Sequence, residues 1–282
     1  MKNIVVLTDF SKHADNALKA AAVIAQKMNG QIHLIHTVPL ISAAFGIASK
    51  TDVEMTIEQQ YTEHVKATAQ DHIKKQVEAF ALPNIPIKAH VFTGDLFKVV
   101  EKFVVENQVD LVVMGTKGTS GLDEMLIGSN TEKIVRHATV PVLSLIAEVE
   151  NFLPKKIVFA SLLLDQHAAV VKKLMPLLEA FEAHLELLFV NTPSTFLTNK
   201  EIEERAYKLV KATDLHNFSL RIYAAISEDV GIRNYADEID ADLVVMATNQ
   251  RKGLARYFLG SLSEEIINHY KRPVLTFSLR QV

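Results

Sequence analysis

Residues 114–131 read MGTKGTSGLDEMLIGSNT, and four of the chain's ten glycines, Gly115, Gly118, Gly121 and Gly128, fall inside this stretch. Residues 110–114 (DLVVM), just before it, form a short β-branched run of the kind that makes a buried parallel strand. Residues 129–137 (SNTEKIVRH), just after it, have helical character and open on Ser, Asn and Thr, good helix-capping residues. The order is therefore strand, glycine-rich loop, helix N-terminus. Glycines let a ligand approach main-chain N–H groups closely. A helix start adds unsatisfied N–H donors and the positive end of the helix dipole. Together they favour an anion, most often phosphate. A solvated surface loop with a capped helix behind it has the same composition, so the loop does not decide function alone.

Two familiar phosphate loops do not fit. The chain contains no G-x-x-x-x-G-K-S/T and no G-x-G-x-x-G, and the loop follows a late strand rather than the first. Working outward, residues 2–8 (KNIVVLT) read as a buried strand ending at Asp9. Residues 11–29 carry Ala14, Leu18, Ala21, Ala22 and Ala25 at helical spacing, with Ser11 as N-cap and Gly30 as stop. A second strand at 31–38 leads into a long, weakly patterned connection at 39–57. A helix at 58–80, a strand at 87–93, a helix at 95–107, the DLVVM strand, the loop and its helix, and a strand at 140–146 (VPVLSLI) complete a first unit. Strands alternating with helices imply a parallel sheet covered on both faces.

The pattern then recurs. Strands are expected at 154–161, 184–191, 217–225, 241–246 and 272–279, with helices at 164–182, 199–213 and 228–239. DLVVM at 110–114 returns at 242–246, an offset of 132 residues that also relates Gly128-Ser129 to Gly260-Ser261, His137 to His269 and Pro141 to Pro273. At the amino-terminal ends Ile4-Val5 matches Ile157-Val158 at an offset of 153, so the second copy lacks 21 residues, mostly from the 39–57 connection. This is a tandem duplication. The fold class is α/β, two tandem five-stranded parallel-sheet units over residues 1–147 and 154–282, with the linker near 148–153.

Composition sets the outer bounds. A formal charge of −3 gives no electrostatic case for nucleic acid or an anionic membrane, and the absence of cysteine removes disulfides, thiol nucleophiles and thiolate metal sites. No stretch approaches the roughly twenty apolar residues that span a bilayer. The chain reads as cytoplasmic.

Gly115, Gly118, Gly128 and Ser129 stand at the spacing G-2x-G-9x-G-S/T, which resembles the nucleotide-binding motif of the universal stress protein family. The repeat extends the resemblance over the whole length, to a two-domain member. It implies sheets of strand order 3-2-1-4-5, domains paired through their fifth strands, ATP as ligand, and room for a homodimer. It also implies that Thr8 and Asp9 contact adenine and ribose, that the Val38 backbone reads the adenine edge, and that Met114 and Gly115 line the ribose. Lys117, Gly118, Gly128, Ser129 and Asn130 would hold the phosphates, with Mg²⁺ reached from Asp9 or Asp123 through water. In an open α/β sheet of that order, ligands favour the crevice at the carboxyl ends of strands one and four, where Asp9 and Gly115 fall.

The copies diverge at this motif. Gly115 and Gly118 face Ala247 and Gln250, Asp9 faces Leu162, and Val38 faces Asn191. Side chains at 247 and 250 would take space that phosphates need, so one competent site, in the first copy, is expected. Of the eleven histidines, His33 and His36 point to opposite faces of one strand and cannot chelate together. His64 and His72 fit the solvated face of the 58–80 helix, and His137 and His269 fit helix C-termini, where imidazolium complements the dipole. No catalytic triad is legible. The expected role is an ATP-linked stress-response regulator or chaperone-like partner rather than an enzyme, with slow ATP hydrolysis left open. The alternative is a nucleotide-independent scaffold, or a binder of another ligand such as a lipid.

Overall fold

The structure, a computed structural model, describes residues 1–39, 52–80, 84–116, 129–145, 152–248 and 272–279; at 52–58 and 129–130 it describes the backbone alone. The first copy runs β1 (Asn3–Leu7), α1 (Lys12–Met28), β2 (Gln31–Val38), α2 (Asp52–Ala79), β3 (Ile87–Thr93), α3 (Leu96–Glu106), β4 (Leu111–Gly115), α4 (Ser129–His137) and β5 (Val142–Leu145). The second runs β6 (Lys156–Ala160), α5 (His167–Phe181), β7 (His184–Asn191), α6 (Asn199–Thr213), β8 (Phe218–Ala224), α7 (Glu228–Glu238), β9 (Leu243–Thr248) and β10 (Val274–Ser278).

These strands form one ten-stranded sheet in the order β3-β2-β1-β4-β5-β10-β9-β6-β7-β8. Pairing within each copy is parallel, and the seam between them, β5 against β10, is antiparallel with Leu143 opposite Leu275. The register repeats with the sequence. Ile4 lies beside Leu111 in the first copy, and their equivalents Ile157 and Leu243 lie side by side in the second.

The inner strands bury both faces, which is why they read as unbroken apolar runs, whereas the outermost strands β3 and β8 have no fully buried residue. Ile4 and Val6 point into a layer shared with α1, α2, α5 and α6; Val5 and Leu7 point into a layer with α3, α4 and α7. The alanines of α1 keep that helix close to the sheet: Ala17, Ala20, Ala21 and Ala25 are all buried. The repeated aspartate of DLVVM is a strand clamp. One oxygen of Asp110 accepts from the main-chain N–H groups of Lys2 and Asn3, and one of Asp242 accepts from those of Lys155 and Lys156.

Three details depart from the sequence reading. Helix α1 stops at Asn29, which takes φ 52°, rather than at Gly30; Glu182 does the same for α5 at φ 48°. Helix α2 starts at Asp52, inside the stretch read as a connection. The residues missing from the second copy therefore come largely from a helix, since α2 has 28 residues and α6 has 15. A polar helix with weak apolar periodicity hides its own start.

Candidate functional site

The sequence Thr8-Asp9-Phe10-Ser11 folds into two overlapping turns at the end of β1. The Phe10 N–H donates to Thr8 Oγ1 at 3.0 Å, and the Ser11 N–H donates to Asp9 Oδ1 at 3.0 Å. Ser11 then caps α1, its hydroxyl accepting from the Ala14 N–H. Phe10 sits between the turns in the left-handed region, φ 64°. Its ring packs 4.5 Å from that of His36 and edge-on, 5.5 Å, to that of His72. His72 thus does more than face solvent.

Thr8 is held from three sides. Its N–H donates to the Ile35 carbonyl, its own carbonyl accepts from His36 Nδ1 at 2.8 Å, and its hydroxyl donates to Gln76 Oε1 at 3.0 Å. Gln76 Nε2 in turn donates to Asp15 Oδ1 at 2.6 Å, so α2 is tied to both β1 and α1 beside Asp9. Sequence reasoning missed Phe10, Asp15, His36, His72 and Gln76. They come from four separate segments, and nothing in local spacing announces their meeting.

Val38 closes β2 opposite Thr93, and its carbonyl accepts from the Gly94 N–H at 2.9 Å. Gly94 stands at φ 127°, a region that favours glycine. Met114 is buried with Leu7, Ile134 and Val135, so its side chain belongs to the core. At Gly115 the missing side chain makes room for protein: a Cβ there would lie 2.8 Å from the His13 carbonyl group and 2.9 Å from its Cβ. The Gly115/Ala247 difference therefore has a packing cause of its own. In the second copy α5 begins two positions later than α1 does in the repeat, and Ala247 is accommodated and buried. The structure brings Thr8, Asp9, Val38 and Gly115 to the carboxyl end of the sheet where β1 and β4 adjoin. Ser129 and Asn130 open α4. Lys117, Gly118, Asp123 and Gly128, with Gln250, Gly260, Ser261 and His269 of the second copy, lie outside the described residues.

The second copy repeats the turn but uses the space differently. Ser161 Oγ accepts from the Leu163 N–H at 2.9 Å, and Leu163 stands at φ 55°, as Phe10 does in the first copy. The Ser161 hydroxyl pairs with His167 Nδ1 at 2.6 Å, and burial pushes the His167 imidazole down to about 4. Asp9 is replaced by Leu162, whose carbonyl accepts from Arg205. Asn191, in place of Val38, spends its amide on both main-chain groups of Leu197, closing the loop after β7.

His137 ends α4 with its ring 5.5 Å from Phe97. Among the described residues no group of three or more His, Asp or Glu is arranged to hold a metal ion, and no helix is long and apolar enough to cross a membrane.

Comparison with known proteins matches this picture twice over. The Universal stress protein family model matches residues 1–145 and again residues 154–278. Universal stress protein G of Salmonella typhimurium is 34% identical over 130 residues, 46% of this chain and 87% of that protein. A universal stress protein of Synechocystis aligns along 98% of this chain and all of its own length at 24% identity. In structure, a universal stress protein from Archaeoglobus fulgidus superposes with a TM-score of 0.73 over 98% of both chains at 15% identity, a likeness of fold. With the family matched in each half, and the strand register and first turn repeated between halves, the chain belongs to the universal stress protein family as two tandem domains.

Proposed function

We propose that the first copy binds an adenine nucleotide, ATP, and that the protein acts as a nucleotide-linked regulator or chaperone-like partner in the cytoplasm rather than as a metabolic enzyme. The observation that carries this reading is the meeting of Asp9 and Gly115 at the ends of the adjoining strands β1 and β4, with a glycine-rich sequence between β4 and α4. Asp9 and Thr8 would hold ribose and adenine, with the Val38 main chain at the adenine edge and the Met114 and Gly115 main chain beside the ribose. Lys117, Gly118, Gly128, Ser129 and Asn130 would hold the phosphates, and Mg²⁺ would bridge them to Asp9 or Asp123 through water. The second copy supports one site per chain, because Leu162, Arg205 and Asn191 use the corresponding positions for internal contacts. The β5–β10 seam would serve as the family's domain pairing within one chain, leaving a homodimer as a further level of assembly.

A second reading, an interaction scaffold or a binder of another ligand such as a lipid, is favoured by two exposed apolar side chains. Phe196 (70% exposed) and Ile226 (82%) follow β7 and β8 in the second copy. Calorimetric titration of ATP with Mg²⁺ into nucleotide-stripped protein separates the two. One site per chain, abolished by Gly118→Gln, supports the nucleotide reading. Two sites would mean that the second copy is competent, and no binding heat at several temperatures would leave the scaffold.

A further inference from the structure

The deepest difference between the copies outside the crevice lies on the opposite side of the outer strands. His33 on β2 and His90 on β3 bring Nδ1 and Nε2 to 3.1 Å, with their rings stacked at 25° and 5.3 Å between centroids. Phe103 of α3 stands edge-on to both, 5.2 Å from His33 and 5.0 Å from His90, and Phe92 stacks on His90 at 6.0 Å. The repeat replaces all four residues. Glu186, Arg221, Tyr223 and Tyr235 stand at the positions of His33, His90, Phe92 and Phe103. There the Tyr235 hydroxyl donates to Glu186 at 3.1 Å, and the Arg221 guanidinium lies 5.6 Å over the Tyr235 ring.

These two solutions answer protons differently. A nitrogen-to-nitrogen hydrogen bond needs one ring to donate and the other to accept. One extra proton leaves that bond possible, but two make both nitrogens donors and set two like charges face to face. The pair joins β2 to β3, and among the described strands β3 is outermost, with β2 as its one neighbour in the sheet. We propose that the His33–His90 pair is a proton-sensitive fastener of edge strand β3, which loosens in mild acid; its counterpart β8 in the second copy carries Glu186 and Arg221 in place of the pair.

The surroundings support this. Burial, most strongly, holds both imidazoles below their ordinary 6.5; the His90 ring and then the charge of Lys88 add to this at His33, and Lys88 adds to it at His90. Lys88 lies opposite His33 in the register and Val5 of β1 lies on its other side, so the strands bring no carboxylate to the pair. Overlying α3 carries Lys98, Glu101, Lys102 and Glu106. Lys102 and Glu106 are 3.7 Å apart with both side chains mostly exposed, and Glu101 lies on the side of α4 with Ile134 and His137. Native values below the unfolded one mean that the pair's contribution is complete above about pH 6.5 and is lost as pH falls from there through the native values. The fastener stands whether or not the crevice binds nucleotide.

Hydrogen exchange from pH 7.5 to 5.5, corrected for intrinsic exchange, tests it on the full chain carrying His167→Gln, which takes the buried histidine of the second copy out of the acid response. Protection of β3 amides is expected to fall about tenfold relative to β8, the factor that belongs to one pH unit of linkage. The triple variant His33→Glu, His90→Arg, Phe103→Tyr, which installs the three residues that touch one another in the second copy, Glu186, Arg221 and Tyr235, should flatten that response. Parallel loss in β3 and β8, or an acid response that survives the swap, would overturn the proposal. Proton NMR of the wild-type imidazoles gives an independent reading. Coupled titration of two rings below the ordinary histidine range is expected, whereas independent titration of both near 6.5 would overturn it.

Discussion

Leu143 and Leu275 occupy the same position of the repeat and face each other across the β5–β10 seam, so the local two-fold of the sheet passes between them. One residue away the symmetry breaks. The Thr276 hydroxyl donates to the Val142 carbonyl at 3.3 Å, while the equivalent hydroxyl of Ser144, fully buried, has no hydrogen-bond partner among the described residues. Ser144→Ala removes an unsatisfied polar group and is expected to stabilise the chain by about 1 kcal/mol. In urea, the midpoint should rise with the slope unchanged; a lower midpoint would mean that the hydroxyl has a partner after all.

Gly115 gives a test of packing that needs no ligand. Gly115→Ala drives a Cβ against the His13 backbone and should cost about 1–3 kcal/mol even in nucleotide-free protein. Ala247→Gly, the reciprocal change, should cost less than about 1 kcal/mol, the ordinary penalty of glycine in a strand. Equal costs for the two would show that α1 yields easily.

The Thr8 hydroxyl accepts from the N–H of the left-handed residue Phe10, and the Ser161 hydroxyl does the same for Leu163. Thr8→Ser should therefore stay within about 0.5 kcal/mol of wild type. Thr8→Val leaves that N–H and Gln76 without their partner and should cost about 1–3 kcal/mol. Thermal and urea unfolding of the two variants side by side would decide it; indistinguishable stabilities would remove the turn from the account.

His167 makes the second copy acid-labile through its core. Its native value of about 4 lies below the ordinary 6.5, so its contribution is complete above 6.5 and drains away as pH falls towards 4. The total is about 3 kcal/mol. His167→Gln should be less stable than wild type at pH 7.5, and that gap should shrink by this amount by pH 4. A gap that stays constant would mean that burial does not suppress the charge.

Much of the fold was legible because buried parallel strands write themselves as apolar β-branched runs. DLVVM occurring twice fixed the repeat before any coordinates, and Ser11 and the Ser129–His137 helix fell where their caps and charges put them. What stayed hidden depended on side chains meeting across distance. The His33–His90 contact links residues 57 apart in sequence, and Thr8 meets Gln76 across 68. Gly115 was read as a gap for phosphate, yet a helix backbone already fills much of that space. A glycine reports that something comes close, without saying what.

The seam has a genetic consequence. When two identical subunits join through their fifth strands, each substitution enters both at once, and no half can drift alone. Here the halves share one polypeptide, so Asp9 and Leu162, or His90 and Arg221, can differ under a single shared sheet. Dilution cannot separate such a pair, because each half meets the other at an effective concentration set by the short connection between them. The duplicated architecture is in this sense an asymmetric heterodimer with fixed stoichiometry, free to keep one function in one half and to give the other half a different task.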